Sequence, residues 1–588
     1  ETAAFIAAAP VLGAQFGLNR GFDTYDDAPA KPSGRTRPYG GARRDGEEVV
    51  DAALAWLKQR TSRPFFCWIH LYDAHGPYDA YSDIYEQRFE EHPYDAGVAW
   101  EVRQFGRVNA FLKDRQLDSN TLVVVAGDHG EGLDDHGEPD HGMLVYDTTL
   151  HVPFVFAGPE IVQPGTRVPN TVSLVDLMPT LLDVLKIPAP KHISGRSLLP
   201  ALKGQAIESR DCYAESEMPY HLNRWCPQQT VISENWKYIQ TTQPELYNRA
   251  EDPGELTNLI ADDGDQSQRL QASLTAMLES FKRTQAEEVQ LSDQDVANLR
   301  SLGYVAGGTS MPDDGSSDAD EELIDVKVMM PFVVKYEKAK SLAASGKKEE
   351  AIAMLQEVAM ATDDFPLSDM RLGDLLADAG RYEEAEAFYR SVLARRPDYV
   401  QAHFTLGKLL ASQGQFGQVE AHFREYTKLN PDDAAGHLEL ANVLVQLKTY
   451  EEAVQEYREA LRLLPDMVDA NLSLGHLLLM LQRPAQAAPF LEKVVEIEPR
   501  NVAAHENLML VLAQTGQRDR AIEIGERAIN LNPNSFETRF NLGLMLVQYQ
   551  RYTEGVAQLR EAQKLRPDDP RPAQQIQNIQ AMLGGGRR

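Results

Sequence analysis

The chain has 588 residues, 43% apolar and 25% charged, the proportions of a soluble globular protein with room for several cores. Its formal net charge of −30 repels polyanions, which argues against nucleic acid and anionic lipid as partners. Three cysteines (Cys67, Cys212, Cys226) form neither a disulfide framework nor a zinc pattern, and no apolar run reaches membrane-spanning length. The chain opens ETAAFIAAAP without a methionine, which fits an upstream segment removed from this sequence. In chain order, GEEVVDAALAWLKQR has helical periodicity and PFFCWIHLYD (64–73) reads as a strand. WEVRQFGRVNAFLKDR reads as a second helix. TLVVVA (121–126), apolar and β-branched, predicts a strand buried on both faces of a parallel sheet. VPFVFAGP (152–159) predicts another, and VSLVDLMPTLLDVL a helix capped by Asp176 with Pro179 in its first turn. Strands alternating with helices imply an α/β doubly wound sheet.

GGTSMPDDGSSDADEE (307–322) has no apolar periodicity and reads as a flexible acidic linker, bounded at 306–325. Beyond it, prolines recur at 397, 431, 465, 499, 533 and 567, a constant spacing of 34. Gly373, Gly407, Ala441, Gly475 and Gly543 form a column of small residues on the same period, broken by Met509. Ala351, Ala385, Val419, Ala453, Ala487, Ala521 and Gly555 form a second column. Small residues at these places let paired helices approach closely, and each proline ends one unit before the next. This 34-residue helix–turn–helix pattern resembles the tetratricopeptide repeat. It implies an all-α solenoid over 326–588, with about seven repeats (332–569) and a closing helix near 570–583. Such arrays present a concave groove, so the expected partner is a protein or peptide; a structural spacer or dimerisation arm is the plainer alternative. Asn507 and Asn541 share one inner-helix position suited to holding a peptide backbone.

The chemistry concentrates in GDHGEGLDDHGEPDHG (127–142). Ligands in open α/β folds sit at the carboxyl ends of strands, where Asp128 and His129 follow one strand while His70 and His75 lie at and beyond another. Neighbouring residues on a regular strand face opposite ways, so Asp128 and His129 reach one ion only where Gly127 and Gly130 break the strand. A hard carboxylate with one imidazole suits calcium, magnesium or manganese better than structural zinc. The alternative is a solvated loop with freely titrating histidines. His136 reads as a surface residue and His70 as a satisfied core histidine.

TLVVVAGDHGEGLDDHGEPDHGMLVYDTTLHVPFVFAGP resembles the second metal-binding motif of the sulfatase family, within the alkaline phosphatase superfamily. LNRGFDTYDD, FFCWIHLYDAHGPYD, VSLVDLMPTLLDVL, ISGRSLLPALKG, ENWKYIQTTQPELYNRAEDPGELTNLI and LSDQDVANLRSLGYV resemble further family segments, in order, over about 15–305. The resemblance implies a sulfatase-like α/β core over 1–205 and a small antiparallel carboxy-terminal subdomain with its tail over 206–305. It implies Asp128 and His129 as ligands of a divalent ion, usually calcium. His75 matches the histidine that contacts the ester oxygen and protonates the leaving group. His141 stands where many relatives carry a lysine touching the anionic group. His75 as a loop cap before Pro77, and His141 as a surface residue, are the plainer readings. The family's nucleophile is a formylglycine made from Cys or Ser in C/S-x-P-x-R, next to paired aspartates on a first strand. Neither is in this sequence, and CPQQT at Cys226 lacks the arginine. The expectation is therefore a sulfatase fragment that lacks its first strand and nucleophile, exposes apolar surface at the gap, and does not turn over sulfate esters by itself. Formylglycine is expected upstream. The two rival readings are a phosphodiester or phosphonate monoester hydrolase of the same superfamily, and a non-catalytic tetratricopeptide scaffold. Export to the periplasm is suggested by resemblance alone.

Overall fold

The structure is a computed structural model that describes residues 1–8, 12–28, 44–59, 63–76, 89, 92–158, 161–191, 193–281 and 323–585. The acidic segment 307–322 and the LSDQDVANLRSLGYV segment lie outside the described residues. The chain divides into two compact units, Glu1–Ser368 and Asp369–Arg588.

In the first unit, β1 (Thr2–Phe5), β2 (Thr24–Asp26) and β3 (Phe66–Ile69) form a parallel sheet in the order β2-β1-β3. Sequence pattern passes over β1, because alanine-rich TAAF has little intrinsic strand preference. Packing decides it. Ala3, Phe5 and Ala7 join Val49, Ala53, Trp56 and Leu57 in one core, and the small side chains let helix α1 (Gly46–Leu57) lie close to the sheet. The Asp45 side chain starts α1 by accepting the Glu47 amide at 2.9 Å. Helix α2 (Pro93–Asp114) packs beside α1.

The strand expected at 121–126 forms as β4 (Val123–Ala126), but not inside a parallel sheet. It pairs antiparallel with β5 (Phe154–Ala157), and these two strands make a separate ladder. With one neighbour instead of two among the described residues, β4 is not buried on both faces: Val125 is 38% exposed, and Val155 on β5 is 55% exposed. Helix α3 (Leu177–Val184) follows, entered through a reciprocal Ser173–Asp176 capping box.

β6 (Cys212–Ser216), β7 (Gln228–Ser233), β8 (Trp236–Gln240) and β9 (Glu245–Asn248) make a four-stranded antiparallel meander. Helix α4 (Gly264–Ser280) covers it, burying Leu270 and Leu274 against Val231, Tyr238 and Leu246. Helices α5 (Val326–Ala344) and α6 (Lys348–Ala361), the first repeat pair, belong to this unit as well.

The second unit is a succession of helix pairs at the expected period, ending in Pro570–Gly585, whose Ile576 and Ile579 close over Phe536, Phe540 and Leu559. The small-residue column has a steric cause. A Cβ on Gly407 would stand 3.0 Å from the Phe423 ring, and one on Gly475 would stand 2.6 Å from Leu491. Each small residue on a first helix thus receives a large one sixteen positions later on the second. The break at Met509 obeys the same rule with the sizes exchanged. Its partner is Gly525, where a Cβ would lie 2.6 Å from the Met509 sulfur. A second periodic device satisfies backbone acceptors: His403, His437, Asn471 and Arg539 reach the carbonyls of Pro397, Pro431, Pro465 and Pro533 at 2.8–3.0 Å.

Gly525→Leu should overfill this contact and lower stability by about 1–3 kcal/mol. Adding Met509→Gly should recover most of the loss, as read by urea unfolding of both variants. A double variant no better than Gly525→Leu alone would show that the two positions do not share one space.

Candidate functional site

The loop that leaves β4 is tightly folded. The Gly130 amide donates to the Thr149 carbonyl and the Gly132 amide to the Asp140 carbonyl, each at 2.7 Å. A Cβ on Gly130 would lie 2.1 Å from the Thr148 oxygen, and one on Gly132 would lie 2.3 Å from the Glu138 oxygen. Only glycine fits at either place. The loop therefore doubles back and carries His141 onto His129, their rings stacked at 4.0 Å. From the end of β3, His75 arrives with its ring 5.0 Å from His141 and 6.4 Å from His129, stacked on Tyr72 at 4.3 Å. Two strand ends thus deliver three imidazoles to one place.

Carboxylates surround them. His141 Nδ1 lies 2.8 Å from Glu131 Oε1 and 3.0 Å from Asp140 Oδ1. Burial alone would lower the His141 pKa, but these two carboxylates outweigh it and raise it to about 10. Burial lowers the pKa of His75. Asp128 is largely in water, with Oδ2 3.8 Å from His129 Nε2. The ligand atoms of Glu131, Asp140 and His141 all lie within 4.8 Å of one another, so two hard oxygens and one imidazole fit a divalent cation there. Sequence reading singled out Asp128 among the carboxylates of this stretch and missed Glu131 and Asp140. The fold of the loop, not their spacing, brings them to His141.

The His75 turn is held from behind. Glu101, on α2, accepts the amides of Asp73 at 2.8 Å and Ala74 at 3.0 Å. His70 has its Nδ1 buried without a hydrogen-bond partner among the described residues, so it is not the satisfied core histidine expected. Burial depresses its pKa to about 4, opposed by the charge of Asp128. His136 is no surface residue either: it stacks on Tyr146 at 3.6 Å and its Nε2 contacts the Glu255 carbonyl at 3.0 Å.

The far end of the loop is pinned to the small sheet by charge. Lys237, on β8, has no exposed surface, and its ammonium lies 3.1 Å from Asp147 Oδ1 and 2.8 Å from Glu255 Oε1. Arg249 completes the group at 2.7 Å from Asp147 Oδ2, and the Asp147 amide donates to Glu255 Oε2 at 2.7 Å. Burial would raise the Asp147 pKa, but the Lys237 and Arg249 charges hold it low.

Residues 8–187 match the sulfatase family, and residues 135–284 match the carboxy-terminal domain of N-sulphoglucosamine sulphohydrolase. Residues 336–400, 376–443, 444–512 and 507–570 match tetratricopeptide repeats. The first part of the chain thus matches the sulfatase family and the second part matches tetratricopeptide repeats. The sulfatase half is 30% identical over 237 residues to arylsulfatase K of Homo sapiens, covering 36% of this chain and 44% of that one. It is 34% identical over 166 residues to a delta 4,5-hexuronate-2-O-sulfatase of Bacteroides thetaiotaomicron, covering 27% and 34%. The chain thus spans less than half the length of these relatives. YrrB, a tetratricopeptide protein described as having an unusual peptide-binding site, superposes with a TM-score of 0.30 at 21% identity, over 32% of this chain and 96% of its own. Among the described residues no helix is long and apolar enough to cross a membrane.

Lys237→Ala leaves the buried Glu255 carboxylate without its cation, while Asp147 keeps Arg249, and should destabilise the sulfatase half by about 3–5 kcal/mol in denaturant unfolding. A loss below about 1 kcal/mol would mean that water enters and replaces the ammonium.

Proposed function

We propose that the sulfatase half is the cation- and anion-binding part of a sulfuric ester hydrolase. The convergence of His75, His129 and His141 beside Glu131, Asp140 and Asp128 supports this reading. Beside Glu131, Asp140 and His141, whose ligand atoms lie within 4.8 Å of one another, Asp128 and His129 are assigned to a divalent cation, calcium by family resemblance. A cation bound there supplies positive charge to the sulfuryl oxygens. With the cation on Asp128 and His129 and none on its own ring, His141 is held as an imidazolium by Glu131 and Asp140 and contributes a further positive charge facing the ester. His75 is assigned to the ester oxygen, where its protonated form donates to the departing alcohol. Since burial lowers the His75 pKa, that form becomes populated only below the ordinary histidine range, and a rate that depends on it should rise as pH falls.

The 588 residues contain no C/S-x-P-x-R, so by themselves they are expected to bind the cation without turning over sulfate esters. Formylglycine chemistry would take its nucleophile from outside them. The second reading is a scaffold in which the array does the work. The array is assigned to recruiting a protein or peptide, and Asn507 on its inner helix stands 3.4 Å from His476 Nδ1.

Calcium titration of the chain by calorimetry should show a binding event that Asp128→Ala abolishes and His75→Ala keeps. No calcium binding at millimolar concentration would sink the metal assignment. A chimera adding a relative's C-x-P-x-R strand at the amino end should hydrolyse an aryl sulfate faster than an aryl phosphodiester, and His75→Ala should remove that rate. The reverse preference would favour the phosphodiester reading, and no rate on either the scaffold. Asn507→Ala with Asn541→Ala should weaken capture of the array's partner.

A further inference from the structure

The first repeat pair is bonded into the small sheet of the sulfatase half. The Cys226 amide donates to the Ile324 carbonyl at 2.8 Å, and Cys226 bridges Asp325 in parallel. Asp325 is 2% exposed. One of its oxygens caps α5 through the Lys327 amide at 3.0 Å, and the other accepts the Gln243 amide at 3.1 Å. Lys327 then reaches the Gln243 carbonyl at 2.7 Å and Glu245 Oε1 at 2.9 Å. Glu245 also accepts the Tyr146 hydroxyl at 2.8 Å, so this contact continues into the loop of the candidate site.

An apolar contact lies beside the polar one. Trp225 is fully buried, its indole N–H donates to the Asp364 carbonyl at 2.8 Å, and its ring lies 5.0 Å from Phe365. Phe365 lies 5.4 Å from Tyr336 on α5. Val326, Met329, Met330 and Val333 are buried along one stripe of α5, and the Met330 Cβ comes within 3.7 Å of a Cβ placed on Gly137 of the histidine loop. A helix pair merely tethered by a flexible segment would gain nothing from a buried, fully bonded aspartate and a buried tryptophan.

We propose that residues 323–368 are an integral part of the sulfatase half, docked on the surface formed by Trp225, Gln243 and Glu245. The peptide connection through 307–322 is then dispensable once the chain has folded. The inference is independent of catalysis and of the metal. The test is a protease recognition site inserted into 307–322 of the full chain, cut after folding. The two pieces should remain one species in size-exclusion chromatography at about 1 μM, a dilution that separates partners of weaker affinity. Elution as two separate pieces would overturn the proposal. Asp325→Ala combined with Lys327→Ala should release the pieces after cutting. Lys335→Ala, which removes an exposed ion pair with Glu357 on the same helix pair, should not. If the double variant stayed joined like the unaltered protein, the assigned surface would be wrong. Hydrogen exchange of the uncut chain gives a readout without cleavage: α5 and α6 should open together with β7 to β9. Opening with the helices beyond 400 would count against the proposal.

Discussion

A lysine ammonium with no exposed surface is tolerated only where its charge is met, and Lys237 is met by Asp147 and Glu255. That requirement joins two regions far apart in sequence. Asp147 ends the histidine loop, Glu255 follows the small sheet, and Lys237 lies within it. The loop bearing His129 and His141 is long, polar and rich in glycine. Its far end is located by charge pairing against a rigid meander. Glu101 does the corresponding work for the His75 turn. Both supports are carboxylates or their partners drawn from outside the motif, so the imidazoles converge because of residues that no reading of the motif alone would select.

The array was the most legible part of the sequence, because its rule is strictly periodic and local. A proline every 34 residues and a small residue at a fixed place give both the helices and their packing. Even the exception at Met509 had its explanation on the same page, sixteen residues on, in Gly525. In the sulfatase half, legibility followed burial. The helices α1 and α2 and strands β3 to β5 were visible as apolar runs, whereas β1 was not, since two of its residues are alanines whose placement is fixed by the helix packed on them.

The errors share a cause. TLVVVA carries the composition of a strand buried on both sides, yet β4 has a ladder on one edge and half-exposed valines. Composition reports what environment a segment is suited to, and the neighbours decide what it receives. His70 and His136 were misread for a related reason: whether a histidine is buried, stacked or satisfied depends on partners such as Tyr146 and Glu255, which lie outside its own segment. The three imidazoles that converge, His75, His129 and His141, stand out in the sequence by order and resemblance. The carboxylates that hold the charge on His141, Glu131 and Asp140, needed the fold of the loop.

The exchange of sizes between Met509 and Gly525 bears on how such arrays change over time. Repeats multiply and shuffle by recombination, and most crossover points would leave a bulky residue facing a small one. A crossover falling between these two helices would instead join a methionine to a leucine, tyrosine or phenylalanine from another unit, or a glycine to a glycine. One product is overfilled and the other hollow. Within this stretch, heredity can move whole hairpins without harm, but not single helices.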